Sequence, residues 1–255
     1  MPSVQLPDAD SGGAHTTSWR YMSMEDVWHA TEQSMLPLFR GEDDPGFQVR
    51  DLKYVGGVDV SFDKEDPSRA VGTLVVCQLP SLEVVFEVTQ SFTMTLPYVP
   101  GYLAARETGP MVQLYKLLQE RGGPIPEVML VDGNGVYHPR RCGSATCFGV
   151  SVDACTVGVA KKPFEFEGIT QESIRAGVST CANLSSFRMP LTSSKSGEVL
   201  GVAVCAGKRT RKPIYVSQGH RISLASAEAV VRLCCPHRIP EPIRQADLRS
   251  RAMLK

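Results

Sequence analysis

The stretch Glu127-Val128-Met129-Leu130-Val131-Asp132-Gly133-Asn134-Gly135-Val136-Tyr137-His138 decides how the chain is read. Four apolar residues, Val128 to Val131, stand between Pro126 and Gly133. A short apolar run with such flanks predicts a buried strand of a parallel sheet. Asp132 then sits at the strand's carboxyl end, where open α/β sheets place their ligands. Gly133 and Gly135 let the backbone take a positive φ or approach a ligand closely. An isolated Asp-Gly after a strand is only an acidic turn. The flanking sequence gives Asp132 company.

Upstream lie three strand candidates: Tyr54–Phe62 (YVGGVDVSF), Ala70–Gln78 (AVGTLVVCQ) and Leu82–Phe92 (LEVVFEVTQSF). Short polar turns, Asp63 to Ser68 and Leu79 to Ser81, join them, so consecutive strands should pair antiparallel. Asp59 falls inside the first strand, with Val58 and Val60 on the opposite face. A charge in a β-rich run is costly when buried unless it has a partner or a metal; facing solvent, it needs neither. Prolines stiffen the loop Leu96 to Gly101. Ala104 to Glu107 is helix-forming sequence, and a break at Gly109-Pro110 is expected before Met111 to Glu120. Glu107 therefore falls on a helix between the antiparallel strands and the Asp132 strand. Further upstream, Gly41 to Asp51 reads as a charged loop. Ser23 is an N-cap candidate for a helix whose apolar side is Val27, Trp28, Met35, Leu36 and Phe39. Residues 1–22 are polar and read as disordered, leaving 23–255 as a single domain.

Downstream, Ser144 to Ser151 is expected to be helical and Thr156 to Ala160 to be a second buried strand, ending at Lys161-Lys162. Strand, helix and parallel strand imply a right-handed crossover. Pro163 to Pro190 is expected to be irregular. Val199 to Cys205 and Ile214 to Ser217 are further strands. After Gly219-His220, Ser223 caps a helix to about Cys235. A proline-rich turn, Pro236 to Pro242, leads into a basic terminal helix.

Composition narrows the function classes. Of 255 residues, 27 are Lys or Arg and 27 are Asp or Glu, so a nucleic-acid partner needs a local basic surface. Basic residues do cluster, at Arg140-Arg141, Lys161-Lys162, Lys208 to Lys212 and Arg244 to Arg251. Each taken singly also fits a solvated loop or face. Eight cysteines lack zinc-site spacing and no secretory signal precedes them. They read as reduced thiols of a cytoplasmic or nuclear protein, the nucleolus included, that is not secreted. No apolar run reaches membrane-spanning length.

The predicted element order is three antiparallel strands, a helix, a parallel strand, a helix and a parallel strand, with acidic residues in the first strand, the first helix and the fourth strand. That order resembles the ribonuclease H-like nuclease fold: an α/β domain with a central mixed sheet, three antiparallel strands followed by parallel ones, flanked by helices. In that fold the first and fourth strands are neighbours, which would bring Asp59 and Asp132 together. Convergent carboxylates suit Mg²⁺, a hard ion that takes oxygen ligands.

The motifs VGGVDVSF (Val55 to Phe62), PYVPG (Pro97 to Gly101), ARE (Ala105 to Glu107), VDGNGVYHPRR (Val131 to Arg141), VGVAKK (Val157 to Lys162), VSQGHRISL (Val216 to Leu224) and RIPEPIRQAD (Arg238 to Asp247) resemble the endonuclease V family, animal members in particular. They occur in the family's order from about Asp51 to Asp247. The resemblance implies metal-dependent cleavage of nucleic acid near inosine. It implies that Asp59, Glu107 and Asp132 hold the metal, Mg²⁺ with Mn²⁺ as a substitute. It also implies that Lys161 sits by the attacked phosphate and His220 near the metal as catalytic residues, with Asp247 either supporting the metal ligands from behind or pairing with a basic residue of its own helix. Tyr98, between Pro97 and Pro100, matches the aromatic of a wedge loop that stacks where a base is displaced. A lone tyrosine would instead pack on the core. Gly101, Gly133 and Gly135 match positions that meet the substrate, Leu103 and Phe164 its apolar walls, and His138 a residue that contacts nucleic acid or supports the loop. Ser144 departs from the aliphatic residue many members carry, and 164–190 match poorly.

The reading is an endonuclease acting on single-stranded, inosine-containing RNA, with deaminated DNA as a second substrate. It cuts the second phosphodiester on the 3′ side of inosine, leaves a 3′-hydroxyl and a 5′-phosphate, and acts as a monomer. Two alternatives remain. One is a ribonuclease H-like nuclease with junction or hybrid specificity, which needs the carboxylates but no base pocket. The other is a non-catalytic inosine-binding protein, which needs the pocket but no carboxylates.

Overall fold

A computed structural model describes residues 40–207 and 210–255. The expected helix from Ser23 with Trp28 and Phe39, the disordered segment 1–22, and Lys208-Arg209 of the basic cluster lie outside the described residues.

The order of elements is β1 (Tyr54–Phe62), β2 (Arg69–Gln78), β3 (Glu83–Thr93), α1 (Leu103–Glu120), β4 (Val128–Asp132), α2 (Ser144–Val152), β5 (Thr156–Ala160), α3 (Gln171–Thr180), β6 (Arg188–Thr192), β7 (Val199–Val204), β8 (Ile214–His220), α4 (Leu224–Leu233) and α5 (Glu241–Ala252). The strands form one eight-stranded sheet in the order β3-β2-β1-β4-β5-β8-β7-β6. The first three pair antiparallel, and β1-β4 and β4-β5 are parallel. This is the expected mixed sheet, with β1 beside β4 at its centre.

The two-residue period of a strand sorts side chains to opposite faces. Val58, Val60, Met129 and Val131 pack under Met111, Leu114 and Leu118 of α1 and Phe148 of α2. Val55, Val128, Leu130 and Val157 face the other way, with Val230 of α4 and Ile243 of α5. Asp59 and Asp132 share the parity of Val55 and Val128, so both lean to the α5 face. That helix can lie close because β1 has glycine beneath it: a Cβ on Gly57 would sit 2.2 Å from the Pro242 carbonyl carbon.

Three expectations give way. Gly109-Pro110 does not break the helix; α1 runs through Pro110. An interior proline costs about 3 kcal/mol. Met111, Leu114 and Leu118 are fully buried on the sheet at about 1.5–3 kcal/mol each, which outweighs it. The stretch 163–190 is not irregular: it holds α3, a 3₁₀ turn at Leu184–Ser186 and the edge strand β6. Helix α3 starts where Thr170 Oγ1 accepts from the Ser173 N–H at 3.1 Å. It buries only Ile174 and Val178, too sparse a stripe to read from sequence. Pro190 is tolerated because β6 is an edge strand. Finally, β8 does not end at Ser217 but runs on through Gly219-His220; the expected cap, Ser223, is in place, its Oγ accepting from the Ser226 N–H at 3.2 Å.

Candidate active site

Three carboxylates converge at the carboxyl end of β4. Asp59, Asp132 and Asp247 each place an oxygen within 4.8 Å of the others. Asp59 is buried and tethered: Ser61 Oγ and Ser250 Oγ donate to its Oδ2 at 2.9 and 3.0 Å. Burial, then the charge and hydrogen bond of Asp132, push its carboxyl up to about 7. Asp247, on α5, completes the cluster instead of supporting it from behind. Its Oδ1 lies 2.8 Å from Arg251 and 3.7 Å from Lys161.

Glu107 is close to the trio without joining it. It comes from α1, on the opposite face of the sheet, and accepts a 3.5 Å hydrogen bond from Ser144 Oγ. Full burial, then Asp59 and Asp132, hold its carboxyl well above the glutamate range. Strand parity explains the division: Asp59 and Asp132 point to the face that α5 covers, and α5, packed on β1 and β4, brings the third carboxylate to that side.

Lys161, just past β5, pairs with Asp132 Oδ2. Burial lowers its pKa, but Asp132, Asp247 and Asp59 outweigh that and raise it. It stands fixed and charged at the edge of the cluster.

The cluster opens into a cleft of about 1030 Å³ whose walls include Tyr98, Leu103, Glu107, Gly133, Asn134 and Phe164. A recess of about 90 Å³ leads off it, lined by Gly101, Leu103, Gly133, His138, Ser144 and Phe164. A Cβ on Gly133 would lie 3.3 Å from Ser144 Cβ, so a side chain there crowds the recess. Tyr98 is 60% exposed at its mouth, between the exposed Pro97 and Pro100, and does not pack on the core.

His138 is buried and structural. Its Nε2 lies 3.1 Å from the Gly101 carbonyl, and its Nδ1 accepts from the Arg140 N–H at 3.3 Å. Those partners make Nε2 the protonated nitrogen. Burial and the Arg140 charge push its pKa down to about 4, so it stays neutral. Arg140 also donates to Gly101 and stacks over Tyr102 at 3.9 Å. His138 and Arg140 thus pin the loop that carries Tyr98.

Two expected site residues lie elsewhere. Gly135 is buried behind the loop: a Cβ would fall 1.8 Å from the Gln218 carbonyl, so its role is close packing on β8. His220 lies opposite Thr156, at the start of β5, whereas Asp132 lies opposite Val159. They lie on opposite sides of β5 and three residue steps apart along it, about 10 Å in the strand direction alone. His220 accepts from the Arg40 N–H at Nδ1 (3.2 Å) and meets Asp153 at Nε2 (3.4 Å). The motif's adjacency to a helix start hid this, because register is not written in one strand's sequence.

Other residues of the site were not foreseen. Ser61 and Ser250 hold Asp59, and Arg251 holds Asp247. Asn134 lines both cleft and recess, and its Oδ1 is buried with no hydrogen-bond partner among the described residues. Buried amide oxygens are rarely left so. Its place between the two motif glycines was the signal that could have found it.

A family model for endonuclease V matches residues 41–248. The chain is 43% identical to human endonuclease V over 213 residues, 83% of this chain and 74% of that protein. It is 44% identical to mouse endonuclease V over 213 residues, 83% of this chain and 62% of that protein. A crystal structure of endonuclease V from Ciona intestinalis, in complex with a 23mer DNA containing an inosine followed by a ribo-adenosine, superposes with a TM-score of 0.86 at 34% identity, covering 91% of this chain and 98% of that one.

Proposed function

The chain belongs to the endonuclease V family, and from that premise we propose that it is a metal-dependent endonuclease for single-stranded, inosine-containing nucleic acid, RNA foremost and deaminated DNA second. The observation that carries the reading is the recess walled by Gly101, Gly133 and Phe164 opening on the same cleft as Asp59, Asp132 and Asp247. A base pocket without carboxylates would suit a reader of inosine, and carboxylates without a pocket would suit a junction nuclease. Both are present together. The Ciona relative's complex with inosine-containing DNA supports the same substrate class.

The residues fit a divalent cation. All donors are carboxylate oxygens, the set for a hard ion such as Mg²⁺, with Mn²⁺ as a substitute. Burial, and then the neighbouring Asp132 charge, raise the Asp59 carboxyl, and a bound cation would offset both. Asp59, Asp132 and Asp247 would hold the ion, which when bound lowers the pKa of water and shields charge on a phosphodiester.

The protein's own groups do the rest. Tyr98 stacks in the gap left by a displaced base, and the recess receives that base against Leu103 and Phe164. Gly101 and Gly133 leave room for backbone groups to meet the base edge. Lys161 keeps a fixed positive charge beside the phosphate. Glu107, held by Ser144, adds a further carboxylate to the wall of the cleft behind the cluster. The recess and the cluster share the Asp132-Gly133 turn, so base and scissile phosphate are held side by side. The family resemblance implies that the bond cut is the second phosphodiester on the 3′ side of inosine, leaving a 3′-hydroxyl and a 5′-phosphate.

The test is a cleavage assay with end-labelled oligonucleotides matched for adenosine and inosine, in RNA and in DNA. The expected result is one incision at that bond, only with inosine, and faster in RNA. Cuts that ignore inosine would favour the junction nuclease, and binding without cuts would favour the reader.

A further inference from the structure

Beyond Lys161 the cleft continues into a second groove of about 520 Å³, with a different chemistry. Six of its lining residues are Lys or Arg: Lys161, Lys162, Arg175, Arg211, Lys212 and Arg238. None is Asp or Glu. The catalytic cleft, by contrast, is lined by six acidic and four basic residues. In a chain whose acidic and basic residues balance, such a one-sided surface is selective for an anion.

The groove is built rather than incidental. At its floor, Arg238 donates to the carbonyls of Lys161, Lys212 and Pro213 at 2.8, 3.1 and 3.0 Å. It has no carboxylate partner among the described residues, so its charge is fixed in place and uncompensated. One wall is α3, which presents the exposed Arg175. The other is the segment before β8, with the exposed Arg211 and Lys212. No ion pair engages Lys162, Arg175, Arg211 or Lys212 among the described residues.

The sets of lining residues give the spatial order. Gly133 and Phe164 line the recess and the cleft but not the groove. Lys161 and Lys162 line the cleft and the groove but not the recess. The three spaces therefore run recess, cleft, groove. We propose that the basic groove takes the sugar-phosphate backbone of the substrate strand on the 3′ side of the cut, so that it holds the product bearing the 5′-phosphate. This rests on the reading of recess and cleft given above: a strand with its base in the recess and its cut at the carboxylates leaves through the groove. Backbone contacts of this kind set register and affinity without reading sequence.

The test compares two inosine RNAs with the same 5′ flank. One ends a single nucleotide beyond the cut, and the other extends about ten nucleotides further, within the span that single-strand sites cover. The double charge reversal Arg175→Glu, Lys212→Glu alters two exposed positions away from the carboxylates. Expected is a loss of about tenfold in kcat/KM on the long RNA and no change on the short one. The slope of log affinity against log salt on the long RNA should flatten by about 1.4, the share of two phosphate contacts. Equal loss on both RNAs, loss that follows a 5′ extension instead, or no loss would overturn the groove while inosine-dependent cleavage of the short RNA upholds the enzyme reading. If the wild type cleaves neither RNA at inosine, the enzyme reading itself fails and the groove falls with it.

Discussion

The two ends of β5 handle charge in opposite ways. At the carboxyl end, Asp59, Asp132 and Asp247 crowd together, and only Lys161 and Arg251 among the ion pairs there answer them. At the amino end, beside His220, charges are matched. Arg221 meets Asp44 at 2.6 Å and Asp153 at 3.0 Å, and Arg40 reaches the same two at 3.4 and 3.8 Å. Asp43 accepts from the Ser223 backbone at 2.9 Å and from the Ser226 hydroxyl at 2.8 Å. The matched end is a tie between loop and helix and contributes modestly, as exposed pairs do. The crowded end opposes folding, since burial and then the Asp132 charge raise the Asp59 carboxyl. Under the proposed function such a cluster is kept for its chemistry, so the comparison sets the candidate residues of the reaction apart from those of the scaffold.

The largest expected effect comes from the crowded end. Asp59→Asn or Asp132→Asn should lower cleavage at least about a thousandfold, since a bound ion is worth several kcal/mol to the transition state. Inosine RNA binding should survive, because an amide fills the same space and removes repulsion from phosphate. Single-turnover rates beside a binding titration measure both. Near-normal cleavage by either variant would take that residue out of the site.

A middle effect concerns His138. Its folded pKa, about 4, lies below the ordinary value of 6.5. The unfolded chain therefore binds the proton first, and stability is lost as pH falls from about 6.5 to about 4. The loss attributable to this residue is up to about 3 kcal/mol. Asp59 and Glu107, with raised pKa values, act in the opposite sense, so the quantity to measure is the difference between wild type and His138→Asn. Denaturant midpoints for the two should converge toward pH 4 and diverge toward pH 7. Parallel curves would contradict the buried, neutral histidine.

At the matched end, His220→Ala should cost about 0.5–1.5 kcal/mol, the net worth of the hydrogen bond it accepts from the Arg40 N–H. Cleavage per folded molecule should be unchanged at 25 °C. A fall in kcat with an unchanged melting temperature would return His220 to the reaction. The smallest stability effect belongs to Tyr98→Ala. Because Tyr98 is 60% exposed, its loss should leave the melting temperature in place. Inosine RNA affinity should weaken by about 1–3 kcal/mol.

The same comparison shows what sequence can carry. Alternation placed Asp59 opposite Val58 and Val60, and the apolar run before Asp132 placed it at a strand end; both readings match the sheet. The β1-β4 pairing followed from element order. What sequence left open were facts of packing between distant segments. Asp247 enters the cluster because Gly57 lets α5 lie against β1, a contact across nearly two hundred residues. His220 is carried away from the cluster by the antiparallel register of β8 on β5, which no local motif encodes. Gly135 reads like a ligand glycine and proves to be a close approach of two chain segments. Helix α3 buries two side chains only, below what periodicity can detect, and yet it forms one wall of the basic groove.

The central claim is that the crowded end is a cation site formed by Asp59, Asp132 and Asp247. Thermal melting with added Mg²⁺ or Mn²⁺, without nucleic acid, tests it most directly, since a ligand that binds the folded state raises the melting temperature with its concentration. The account predicts a rise for wild type and for His220→Ala, and none for Asp59→Asn, Asp132→Asn or Asp247→Asn. An equal rise in the three carboxylate variants, or no rise in wild type at millimolar cation, would contradict it.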